Sequence, residues 1–180
     1  MNKKYLVAVL EWSFVLFTAF NMCIYGSAKY VQFGNISQYK RPLFSYDGMS
    51  LMWAFYAYSK SYSTILGLFE ILGALLLLVP KTRIIGCIVL SSILINIIMQ
   101  DYFYGVHRGA MANAVFYQLL VIGVLWFNRE KVLLMIKNAA IEFSIPGKKK
   151  IISILLILGL FVVLAVIQEA LGSLLTFLKI

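Results

Sequence analysis

Charge is scarce in this chain, and acidic charge scarcest. Only 13% of its 180 residues are Asp, Glu, Lys or Arg, and only seven are acidic; soluble domains carry about twice that charged share. Cysteine is limited to Cys23 and Cys87, with no C-x-x-C spacing, which leaves out zinc, iron–sulfur and dithiol motifs. The one histidine, His107, cannot assemble a histidine-based metal or haem site within one chain. Flanked by Arg108 and several aromatics, it reads as a surface loop residue. There is no nucleophile–base pair and no metal-ligand set, so a stand-alone enzyme is the weakest expectation. No internal repeat is visible.

What fills the chain instead is apolar: 62% of residues are hydrophobic and the mean hydropathy is +0.91. This composition predicts an integral membrane protein. The net charge of +9 does not point to nucleic acid, because the basic residues sit in gaps between apolar runs. Lys3 and Lys4 precede a long apolar stretch, as in a signal peptide. Glu11 interrupts that stretch, however, and it runs on past a usual signal core, so an uncleaved first span is expected.

Five spans are predicted: 5–25, extending towards Lys29; 62–79, stopped by Pro80 and the basic turn Lys81-Thr82-Arg83; 84–100; 110–127; and 151–167, with Gln168-Glu169 and an apolar tail behind it. The tail either prolongs the last helix or breaks near Gly172. Between spans one and two, "MSLMWAFYAYSK" is too short to cross a bilayer and reads as an interfacial helix. Residues Val132, Leu133, Ile136, Ala139 and Ala140 recur at helical spacing in a basic segment ending near Pro146-Gly147, an amphipathic surface helix. The expected fold is thus all-α: a polytopic transmembrane four-helix bundle (1–128) with an interfacial helix, a basic amphipathic cytoplasmic linker (129–150), and a fifth C-terminal helix with its tail (151–180). The bias of Lys and Arg, including the triplet Lys148 to Lys150, predicts a bacterial cytoplasmic membrane protein with its N-terminus inside and its C-terminus outside. Membrane lipids are the expected surroundings, and attraction to anionic lipid a side effect of the triplet.

Depth sorts the polar residues. At 1.5 Å rise per residue and 3.6 residues per turn, Glu11, Thr18, Asn21, Tyr25 and Lys29 share a face of span one. Gly67, Glu70 and Ala74 share a face of span two. Ser92, Asn96 and Gln100 are four apart on span three, and Ala114 and Gln118 align on span four, with Asn113 and Tyr117 beside them. Polar side chains avoid lipid, so these stripes are expected to face one another. Asn21, Glu70 and Gln118 lie roughly 10–14 Å below the outer boundary and Asn96 slightly higher. The expectation is one outer cluster of Asn21, Glu70, Asn96 and Gln118 under a lid of Tyr25 and Lys29. Glu11 belongs to a separate inner site. Cys23 and Cys87 are too far apart in depth for a disulfide and read as packing residues. The cluster is open to two interpretations: a ligand site containing a proton-accepting carboxylate, or interhelical glue.

These residues also carry a likeness. "YGSAK" at Tyr25 to Lys29, "SKSYSTILGLFEILGALLLLVPKTRIIG" with its Gly67-x-x-Glu70-x-x-Gly73 core, Asn96, and "DYFYGVH" resemble the DoxX-like membrane proteins over roughly residues 5–127. The resemblance implies a four-span architecture and a non-catalytic accessory role beside a quinone-linked or redox assembly. Together with the polar cluster, this leads to the expectation of a quinone-like or lipid-like molecule near Glu70, Asn96 and Gln118, with Glu70 as proton acceptor or hydrogen-bond partner and Lys29 as the charge that keeps it ionised. No bound metal, flavin or covalent cofactor site is visible, so electrons would come from a protein partner or not at all. Gln100-Asp101 and Gly105-Val106-His107 depart from the pattern that relatives tend to carry after span three, and a site shaped there in relatives is altered here. The expectation from a different class is an oligomeric membrane scaffold, sensor or pore component that recruits a cytoplasmic partner through the basic linker.

Overall fold

From Tyr5 to Tyr25 the sequence has neither glycine nor proline, so nothing interrupts the first helix. In the computed structural model, which describes residues 3–139 and 150–177 (side chains over 4–139 and 151–170), α1 spans Lys3–Gln32. It runs about two turns past the predicted span and stops at Gly34, whose φ of +70° is the left-handed conformation that ends helices. Two 3₁₀ turns, Ile36–Gln38 and Leu43–Ser45, lead to α2, Gly48–Tyr58. Asp47 caps it by accepting from the Ser50 N–H at 3.4 Å. Ser59 ends α2 and at once caps α3 (Lys60–Leu78), accepting from the Tyr62 N–H.

Pro80 and Thr82 turn the chain into α4 (Arg83–Phe103); the Thr82 hydroxyl donates to the Leu76 carbonyl at 2.9 Å. Gly105, at φ +63°, separates α4 from α5 (Arg108–Phe127), which His107 caps by accepting from the Gly109 N–H. Next come α6 (Arg129–Ala139) and α7 (Lys150–Phe177). The described residues form seven α-helices and no strand. Five of the helices, α1, α3, α4, α5 and α7, are long and apolar enough to cross a membrane. The backbone of α7 is continuous past Gly172. The expected end of the amphipathic segment near Pro146-Gly147 and the side chains of Lys148 to Lys150 lie outside the described residues.

The chain divides into two compact units, 1–137 and 138–180. In the first, α1 packs on α3 and α5, and α4 packs on α3 and α5, closing a cycle. Its core holds Val15, Met22, Leu77, Leu90, Leu94 and Val121. The tightest seam is between α1 and α3. A Cβ on Gly26 would lie 2.5 Å from the Gly67 carbonyl oxygen, and a Cβ on Gly67 would strike the Gly26 carbonyl oxygen. Two bare backbones meet there, the small-residue packing used where helices gain little from excluding water. The outer faces are also apolar: Phe20, Leu68, Ile95 and Leu119 are all exposed.

One expected stripe is corrected. Ser92 and Asn96 are exposed, and α4 instead turns Cys87, Leu90, Leu94 and Asp101 inward. Asn96 is satisfied without burial, because its Oδ1 accepts from Gln100 Nε2, one turn on, at 2.8 Å.

Candidate functional site

Two ionic centres lie at opposite ends of this helix cycle. At one end, Glu11 Oε1 accepts from Arg83 Nη1 at 2.6 Å and from Asn128 Nδ2 at 2.7 Å. The Arg83 guanidinium lies 4.3 Å from the centroid of the Trp12 ring, and its Nε donates to the Leu77 carbonyl. Glu11 thus stands in a centre of its own, as its depth implies. Arg83, expected in the basic turn that stops span two, is buried: the turn carries it back over α1, where an ion partner waits.

At the other end, Lys29 Nζ lies 3.5 Å from Glu70 Oε1. The two motifs behind the family likeness are therefore the two halves of one helix crossing, glycine against glycine and lysine against glutamate. Glu70 is 1% exposed and Lys29 13%, so the lysine stem bends inward. Glu70 Oε2 has no hydrogen-bond partner. The carboxylate therefore does not bond the amides of Asn21, Asn96 or Gln118.

Beside this pair is a cavity of about 200 Å³ between α1, α2, α4 and α5. Its apolar wall includes Met22, Phe33, Trp53, Leu94 and Ala114. Phe33 stacks on Tyr56 at 4.5 Å and meets Trp53 edge-on at 5.7 Å. Its polar wall includes Tyr25, Lys29, Gln32, Asp101, His107 and Tyr117.

Two of the six residues singled out by sequence, Tyr25 and Lys29, face this cavity; the other four do not line it. Glu70 stands behind Lys29. Asn21 stands behind Tyr117, accepting from its hydroxyl at 3.2 Å. Asn96 stands behind Gln100, whose Oε1 accepts from the Tyr56 hydroxyl at 2.7 Å. Gln118 is elsewhere, donating to Ser91 Oγ at 3.1 Å. Asn113 Nδ2 donates to Tyr25 Oη at 3.4 Å. The single expected cluster is thus several separate pairs. Depth along a helix fixes a residue's height but not the direction it faces, and each amide found a nearer partner.

Sequence reasoning missed Asp101 and His107. Asp101 is 7% exposed, lines the cavity and has no partner for Oδ2. Its signal was available: it lies two turns beyond Leu94 on the face that also carries Cys87 and Leu90. His107 is an exposed loop residue, as the sequence implies, and it also caps α5 and lines the cavity. Both cysteines are free. Burial pushes the Tyr56 phenol above its ordinary value, so near neutral pH it keeps its proton and donates to Gln100.

No family model matches the chain, and no solved structure matches it. It is similar to the uncharacterized protein YwoB of Bacillus subtilis (strain 168), with 31% identity over 132 residues, covering 72% of this chain and 84% of the relative. The chain therefore belongs to the same family as YwoB.

Proposed function

We propose that this is a multi-pass protein of the bacterial cytoplasmic membrane, DoxX-like in kind, that binds a quinone-like or lipid-like molecule in the α1–α2–α4–α5 cavity. It serves as a non-catalytic accessory subunit of a redox assembly, with electrons supplied by a protein partner. The N-terminus and the Glu11 end lie on the cytoplasmic side, and the cavity opens towards the outer face beneath α2.

The cavity carries this reading. An apolar cavity of about 150 Å³ admits benzene, so about 200 Å³ has room for one substituted ring. Aromatic walls suit such a ring, and Asp101 and Gln32 offer polar anchors beside it. This moves the ligand away from Glu70, Asn96 and Gln118. Glu70 holds Lys29 in position rather than meeting the ligand. DoxX-like membership is supported by the motifs alone.

A short-chain quinone titrated into the detergent-solubilised protein should quench Trp53, which lines the cavity. Ala114→Phe, which fills the floor, should abolish saturable quenching. Unchanged binding by that variant would reject this cavity as the site. The scaffold reading draws on α6, where Leu133, Leu134 and Ile136 are exposed and open to a partner or a second copy. A stoichiometric partner that is not an oxidoreductase, co-purifying in mild detergent, would favour it.

A further inference from the structure

The hydrogen-bonding groups at the cavity wall are unevenly spent. Several donors already have acceptors: the Tyr56 hydroxyl has Gln100, the Tyr117 hydroxyl has Asn21, and the Lys29 ammonium has Glu70. The buried wall atoms left without a partner are Asp101 Oδ2 and Gln32 Oε1, and both are oxygens. A buried acceptor without a donor is costly, and the cost is larger for a carboxylate. Asp101 is more than nine-tenths buried and sits where a ring's substituents would reach.

We infer that the cavity selects a ring compound that donates hydrogen bonds, a phenol or the hydroquinone form of a ring head group, over the carbonyl form, which only accepts. Asp101 Oδ2 takes one ring hydroxyl and Gln32 Oε1 offers a second acceptor. The inference rests on the binding reading above and adds the sense of the hydrogen bonds. It also gives the redox form that would dwell in the site, with no electron transfer at the site required.

The test compares three small probes on the full chain in detergent under anaerobic conditions, by calorimetry: a hydroquinone, the matching quinone, and the hydroquinone's dimethyl ether. The hydroquinone should bind at least about tenfold more tightly than either of the others, the increment expected when a buried unpaired acceptor gains its donor. Asp101→Asn should bring hydroquinone and quinone to within about threefold while leaving the thermal midpoint near that of the parent. Gln32→Leu, which removes the less buried acceptor, should reduce the preference in part. Equal binding of hydroquinone and quinone by the parent overturns the inference and leaves the ring-binding reading standing. A preference undiminished in both variants also overturns it. Binding of none of the three probes defeats the ring-binding reading, and the inference with it.

Discussion

Removing Lys29 and removing Glu70 should have unequal consequences. Lys29→Met strands a carboxylate that is 1% exposed and should cost about 3 kcal/mol, the penalty of breaking a buried pair from one side. Glu70→Gln leaves an ammonium on a long stem that can straighten towards the surface, and should cost about 1 kcal/mol. Denaturant unfolding in micelles reads the difference, and equal losses would show that Lys29 is not the group that holds Glu70. At the opposite end, Arg83→Leu should cost about 3 kcal/mol. Pairing it with Glu11→Gln should recover most of that, because the amide can still meet Asn128. A double variant as unstable as Arg83→Leu alone would place the loss in the Trp12 contact instead. Much of this was open to sequence reading. Glu11 is set apart by its depth, and Lys29 by its reach. Asp101 was not found because a charge near a helix end reads as loop, although its helical face says otherwise. Asn96 was misread because polarity was equated with burial, whereas an amide can bond one turn along its own helix.

At the level of elements, the α1–α3 seam tolerates almost nothing. Gly67→Ala sets a methyl against the Gly26 carbonyl, and backbone cannot step aside. Gly73→Ala meets the Leu90 side chain, which can shift more readily than backbone. The first should cost about 1–3 kcal/mol by overpacking and the second clearly less; thermal unfolding of the two variants decides it, and a reversed order would locate the seam elsewhere. The start of α2 is sensitive to acid. The Ser50 hydroxyl, with help from its backbone N–H, holds the Asp47 carboxyl below its ordinary value of about 3.9. A carboxyl depressed in the folded state stabilises fully above its unfolded value and loses that support as pH falls through the folded one. Amide protection factors in α2, corrected for the intrinsic exchange rate at each pH, should therefore fall below about pH 4 in the parent and show no such step in Asp47→Asn. Helix existence and order were legible from apolar runs and breakers. The ends were less so, because a run long enough to cross hydrocarbon does not say where the backbone stops coiling; Gly34 and Gly105 do that.

For the whole molecule, the membrane reading fixes which positions share a side. In a chain freed of its two native cysteines, a single cysteine at Asn35 should react with an impermeant thiol reagent in intact cells. One at Lys81 should react only after permeabilisation. The reverse pattern would invert the orientation, and labelling of both in intact cells would reject the α3 span between them. Helices α1, α3, α4 and α5 pack in a cycle, although the stripe expected to turn α4 inward is exposed at Ser92 and Asn96. The cycle is held by a mixture of glycine contact, apolar packing and two ion pairs, and not by one polar knot. Sequence patterning marks which helices need company; it does not say which side chain will find which.

The Glu11 centre draws its parts from distant points on the chain, and this has a consequence for biosynthesis. Arg83 follows Glu11 by 72 residues and Asn128 follows it by 117. At a synthesis rate of about 5–20 residues per second, the carboxylate waits roughly 4–14 s for its cation and roughly 6–23 s for its amide. During that interval the newborn first helix carries the carboxylate without the Arg83 and Asn128 donors that hold it in the folded protein. Gly67 leaves the ribosome before Arg83, so docking through the glycines can secure α1 first, and the arrival of Asn128 marks the moment when the nascent chain has every piece required to complete that end.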